Sequence, residues 1–274
     1  MKKVLFSFFF LLVCFCFFVP TVSAHELYLD VEEFSDSEEL RVDVKWGHIR
    51  DYVSEASHED YELFVRYPNG EEEQLELEAA GVNARAYVPI IEEGDYIFWA
   101  ERVLGTYTPE DEDTTQLSSH MAKIVHHVGN GSSQVDSPIG LELELVPTID
   151  VADFSTGSLE GYVVLDNEEV AEVHVTAYGP EHEVLEQTTD QDGRFSFDIE
   201  SSGEWLVKAN LILEEDGEID GEEYDVTSHT STLLLDTKEE QQTSANIGSL
   251  FIMLVIGLLS GSAATLFVVA KRSK

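Results

Sequence analysis

The chain has 274 residues, with 55 acidic against 15 basic side chains and a formal net charge of −40. No basic stripe is available to neutralise phosphates, which excludes a nucleic-acid binder, and the acidity opposes docking of a folded body onto anionic lipid. Hydrophobic residues at 43% and aromatics at 10% still suffice for packed cores, so a wholly disordered chain is excluded too.

Met1, Lys2 and Lys3 precede an apolar run over residues 4–19, and small residues stand at Val22 and Ala24. That order predicts a secretory signal peptide over 1–24, with His25 as the first residue of the mature protein. Cys14 and Cys16 are both within the removed segment. The mature chain therefore has no thiol, which excludes disulfides, zinc–thiolate sites and cysteine nucleophiles.

From His25 onward the reading is all-β. Residues 39–46 alternate charged and apolar side chains, the period of a half-buried strand. Further strands are predicted over 61–67, 84–89, 94–100, 120–128 and 141–146. Short turns rich in Gly, Asn and Asp separate several of them. A polar stretch over 150–157 suggests a boundary, giving an N-terminal β domain over 25–150. The second block, 151–236, repeats the pattern with strands over 159–165, 171–178, 194–199, 204–209 and 226–235. Two β-sandwich domains are expected. The acidic run over 214–223 departs from a calcium loop, because Thr227 stands where a bidentate Glu is needed, and reads as a solvated hairpin.

A polar stalk over 237–246 leads to an uncharged apolar stretch over 247–270, long enough for a transmembrane helix. Gly257 and Gly261 in it have the spacing that lets helices approach closely. The basic tail 271–274 should stay cytoplasmic, leaving the body outside as a single-pass ectodomain at the cell membrane. All 55 acids but only ten of the bases fall within 25–246, a local balance of −45. Salt adaptation accounts for such a surface, which also concentrates cations diffusely.

Without cysteine, histidine is the best available transition-metal ligand. Nine are present. A mature N-terminal His25 offers its α-amine and ring Nδ1 to one ion as a chelate. His48 follows Trp46 and Gly47 at a strand end. In a strand His120 and His126 share a face, while His127 points the other way. His58, His174 and His182 read as structural or solvated. No nucleophile elbow, phosphate-binding glycine loop or zinc helix is present, so no enzyme is expected.

The ordered segments at 24–29, 46–48, 119–123, 138–147, 189–197 and 203–205 together resemble the NikK-like periplasmic accessory proteins of nickel and cobalt uptake by energy-coupling-factor transporters. The resemblance covers most of residues 25–240. It implies an extracytoplasmic metal-binding accessory protein whose second domain is a transthyretin-like or carboxypeptidase-regulatory-like sandwich, partnered with metal-transporter membrane components. His25, His48 and His120 are then the metal positions, for Ni²⁺ or Co²⁺; His126, His127 and His229 are optional. The same nitrogens suit Cu²⁺ and Zn²⁺. That leaves a copper-binding histidine-brace carrier or oxidative enzyme as one alternative and a cell-surface adhesion module as another. The extreme acidity and the appended anchor depart from the family pattern.

Overall fold

A computed structural model of the chain describes residues 25–109, 113–130 and 137–237. The expected signal peptide (1–24), the span over 247–270 and the tail over 271–274 lie outside the described residues. So does the expected stalk, except its first residue. Among the described residues no helix is long and apolar enough to cross a membrane.

The described residues are all-β. In chain order the first strands are β1 (Glu26–Phe34), β2 (Glu39–His48), β3 (Tyr52–Val53), β4 (Tyr61–Arg66), β5 (Glu72–Leu75), β6 (Glu78–Ala80), β7 (Asn83–Pro89), β8 (Gly94–Arg102), β9 (Gly105–Tyr107) and β10 (Gln116–Val128). There follow β11 (Leu143–Pro147), β12 (Gly157–Leu165), β13 (Glu168–Glu169), β14 (His174–Tyr178), β15 (Val184–Thr188) and β16 (Arg194–Ile199). The last are β17 (Gly203–Leu213), β18 (Gly217–Ile219), β19 (Glu222–Tyr224) and β20 (Val226–Thr237). Strand β16 shows why these segments extend: exposed Arg194, Ser196 and Asp198 alternate with buried Phe195, Phe197 and Ile199. The acidic run forms the small β18–β19 hairpin, turning at Asp220 and Gly221, both with positive φ.

Three layers result. The central one is a nine-stranded sheet in the order β15-β14-β17-β20-β10-β8-β4-β5, with β9 beside β10. On one face lies a sheet ordered β1-β2-β7-β6, with β3 paired to β2; on the other lies β11-β12-β13 with β16 on β12. Leu27, Leu29, Val42 and Val44 pack on Leu63, Phe98 and Ala122 to form one core. Leu143, Leu145, Leu159 and Phe197 pack on Val175, Val207 and Leu233 to form the other. Burying one such aliphatic side chain is worth ~1.5–3 kcal/mol. Strand β20 is covered on both sides, so its usual alternation disappears and 11 of its 12 residues are buried.

The sandwich layers agree with expectation, but they are not two separate sandwiches. Strand β10 pairs in parallel with β20, from Gln116↔Val226 to Ile124↔Leu234, and so joins the two blocks into one sheet. Strand β11, which precedes residue 150, pairs with β12 from the second block. At the other end, β20 runs through Thr237, where a stalk was expected to have begun; its hydroxyl donates to the carbonyls of Ser201 and Gly203. Strand β1 is the element the sequence pattern concealed. Its residues 26–29 are all buried because β1 wedges between its own sheet and the seam of the central one. There Tyr28 meets Leu206 and Leu234, and the Thr232 hydroxyl donates to the Leu27 carbonyl at 2.5 Å.

Candidate functional site

The site stands at the mouth of that wedge, where β1 begins. The β1–β2 register pairs Glu26 with Gly47 and Leu27 with Trp46, so the next step sets His25 opposite His48. Gly47 has φ of 152° and lies against β3; a Cβ there would collide with the Tyr52 carbonyl. Only glycine permits this approach, which folds Tyr52 and Ser54 back beside the two histidines. The Ser54 amide donates to the Trp46 carbonyl at 2.7 Å and closes the hairpin.

His25 and His48 are in contact. Their rings stack with centroids 5.0 Å apart at 29°, and Tyr52 is edge-on to both, at 5.9 and 5.2 Å. Ser54 Oγ is 2.7 Å from His25 Nε2, which leaves Nδ1 for a chelate ring with an α-amine. His48 Nδ1 lies 3.5 Å from the carboxylate of Glu26, a partner that orients the ring. Glu26 is buried and also held by Lys208 at 3.1 Å. Burial works against the Lys208 ammonium, but Glu26 and Tyr178 outweigh it and keep its pKa above the ordinary value. The His25 pKa is lowered, first by burial and then by its neighbour His48. Its ring is therefore neutral at neutral pH, the form that ligates.

His120 is close but not in the same contact. It projects from β10 toward β2 and meets Trp46 edge-on, with centroids 4.8 Å apart. Trp46 in turn stacks on His25 at 5.6 Å and carries the Arg102 guanidinium 4.4 Å from its centroid. Burial, followed by the charges of Arg102, Lys208 and His25, pushes His120 down to about 4. Its Nδ1 is buried without a hydrogen-bond partner. Among the described residues, no three His, Asp or Glu side chains are set to hold one ion together. His25 and His48 are thus a pair in contact, and His120 meets Trp46 rather than either of them.

The optional histidines are elsewhere. His126 shares the His120 face of β10 and reaches Glu33 of β1 at 3.3 Å, whereas His127, on the opposite face, contacts buried Asp95 at 2.6 Å. His229 is 3% exposed, and its Nδ1 lies 3.3 Å from Glu142 Oε2. Ser119 donates to that same oxygen at 3.1 Å. Because the carboxylate sits between hydroxyl and imidazole, the trio lacks the order of an acid–base relay to a serine nucleophile. His58 lies on the turn His58–Asp60 capped by Ser57, and His174 is half exposed beside Glu186.

The sequence singled out three histidines but not their setting. Arg102 and Lys208 carry no motif, and Lys208 is 182 positions from its partner Glu26. Glu26 and Trp46 stood within the segments 24–29 and 46–48, but nothing in those segments pointed to their partners.

Comparison with known proteins gives a family but no activity. No curated protein matches the chain. Among solved structures, the fibronectin(III)-like modules of Clostridium thermocellum CbhA are similar at 8% identity and a TM-score of 0.24, over 82% of this chain and 94% of that one. The two-domain fibronectin type-III segment of chicken tenascin gives 14% identity and a TM-score of 0.22, over 76% and 97%. A Ca²⁺-stabilised, ice-binding adhesin of an Antarctic bacterium gives 12% and 0.23, over 78% and 49%. A family model matches residues 22–212, most of the chain, and on that match the protein belongs to DUF4198, described as a domain of unknown function.

Proposed function

We propose that this protein is a membrane-anchored extracytoplasmic metal-binding accessory protein for nickel or cobalt uptake, of the NikK-like kind, with a transthyretin-like second block. After signal-peptide cleavage, His25 ligates through its α-amine and Nδ1, and His48 through Nε2. The observation that carries the reading is the paired restraint of the two rings. Ser54 holds the far nitrogen of His25, Glu26 holds Nδ1 of His48, and the rings lie 5.0 Å apart. Such outer partners fix ring orientation before the ion arrives. The acidic surface gathers cations, the C-terminal anchor keeps the protein beside its membrane transporter, and no reaction is required of it.

The test is Ni²⁺ and Co²⁺ titration of the correctly processed protein against a version with one extra residue before His25. The extension removes the amine from the chelate, and affinity should fall at least about tenfold, or ~1.4 kcal/mol. Equal affinity and stoichiometry would dismiss the amine model, and an absence of any saturable binding would leave a surface β-module. A copper reading has one observation in its favour: two imidazoles and an amine form a nitrogen set for which Cu²⁺ outranks Ni²⁺ and Co²⁺. Spectroscopy of the copper-loaded protein, together with an assay for peroxide-driven oxidation, separates a carrier from an oxidative enzyme.

A further inference from the structure

Two cations lie near the proposed metal site in a protein that has few of them. Only ten of the bases fall within residues 25–246, yet Arg102 and Lys208 both lie close enough to act on His120. Lys208 is neutralised by Glu26. Arg102 is not: among the described residues no carboxylate forms an ion pair with it, in a chain with 55 acids. Its Nε is buried without a hydrogen-bond partner, as is Nδ1 of His120. Both side chains rest on the same Trp46 ring, and the β8–β10 register, which pairs Glu101 with Met121, brings Arg102 opposite His120 at its next step.

A cation entering alone would meet this guanidinium as a repulsion. A cation accompanied by a small anion would meet it as an attraction, because a guanidinium binds a carboxylate through two parallel hydrogen bonds. The Tyr61 hydroxyl lies within reach of the Arg102 guanidinium. Arg102 Nε and His120 Nδ1 still lack partners beside one aromatic ring, and burying such atoms costs free energy, so an acceptor for the guanidinium, and for His120 in its Nδ1–H form, belongs there. The geometry points to a carboxylate subsite formed by Arg102 and His120 on Trp46: the protein takes its metal as a complex with a small carboxylate chelator rather than as the bare ion. His25 and His48 hold the metal end. Arg102 and an imidazole N–H of His120 hold the carboxylate end, with Trp46 as the wall between them. This inference rests on the proposed metal reading for the first pair and on the unpaired donors for the second.

The experiment compares NiCl₂ alone, citrate alone, and NiCl₂ with citrate at matched free Ni²⁺ activity, using the processed full-length protein and tryptophan fluorescence. Trp99 and Trp205 are buried in the other core, so a quench at this site reports Trp46. The buffer holds about 1 M KCl, where the screening length is ~3 Å and the long-range acidity is suppressed. At matched free Ni²⁺, a protein that excludes citrate binds nickel no differently with or without it. We expect citrate to tighten apparent nickel binding at least about tenfold, and Arg102→Gln to abolish that gain. No effect of citrate on the unsubstituted protein overturns the inference without reference to any variant. So does an Arg102→Gln protein that, with an unchanged melting profile, keeps the citrate gain. If nickel fails to bind but citrate alone quenches Trp46 in an Arg102-dependent way, the carboxylate subsite stands and the metal reading falls.

Discussion

Two of the buried polar regions among the described residues lie on opposite faces of the same strand. Lys123 and Glu144 lie deep in the second core, 3% and 0% exposed, with Nζ and Oε1 2.6 Å apart. The carboxylate also accepts from the amides of Ile139 and Gly140, so every charge there is answered. Three residues earlier on β10, His120 faces the other way and leaves a nitrogen unanswered, next to an arginine with no acidic partner. A buried polar group with all its partners is part of the scaffold. One without them costs stability that a bound partner would recover, so the second region is where function is to be sought.

The largest expected effect breaks the first region. Glu144→Ala strands a buried ammonium whose pKa burial already lowers, and should cost about 3–5 kcal/mol in denaturant unfolding. Replacing both partners, as Lys123→Met with Glu144→Leu, should recover much of that loss. If the single substitution cost less than the pair, the region would not be a closed ion pair at all.

The next prediction concerns the second region in metal-free protein. His120 has an ordinary value of 6.5 when unfolded and about 4 when folded. Between those values the unfolded chain binds more protons, so stability rises with pH through the window and is lost as pH falls from 6.5 toward 4. By linkage the loss is about 3 kcal/mol, and His120→Gln should flatten that part of the stability–pH curve. An unchanged slope in the variant would mean the ring is not held neutral.

Smaller still is Gly47→Ala, which forces β3 away from β2 and should cost about 1–3 kcal/mol. Metal affinity should fall with it, because Tyr52 and Ser54 lose their places. At the bottom of the scale, His174→Ala alters a ring with 52% of its side chain exposed. It should change stability by no more than about 0.5 kcal/mol and leave metal binding untouched. A large effect there would extend the site across β17 and β14.

Much of this was legible in the chain itself. The alternation in residues 61–66, 83–89 and 194–199 gave strands within a residue or two of their observed bounds, because one face of each is buried and the other is wet. The opposed faces of His120 and His127 followed from the two-residue period alone. Strand β1 and the end of β20 were harder. Both are covered on two sides, and a doubly covered strand has no polar face to mark it. The edge strands β5, β6, β9 and β15 were missed for the converse reason, being short and largely exposed.

By itself, then, the sequence determined an all-β body without thiols, a strongly acidic surface and three histidines as the nitrogen donors to watch. Local alternation and composition are enough for that, since each depends on neighbours along the chain. Only the tertiary structure decided that β10 and β20 fuse the two blocks into one sheet. The same pairing sets Glu26 against Lys208 and divides the histidines at Trp46, with His25 and His48 in contact and His120 beside Arg102. Those partnerships join residues far apart in the chain, and no pattern of local spacing encodes which distant strand will supply the opposing charge.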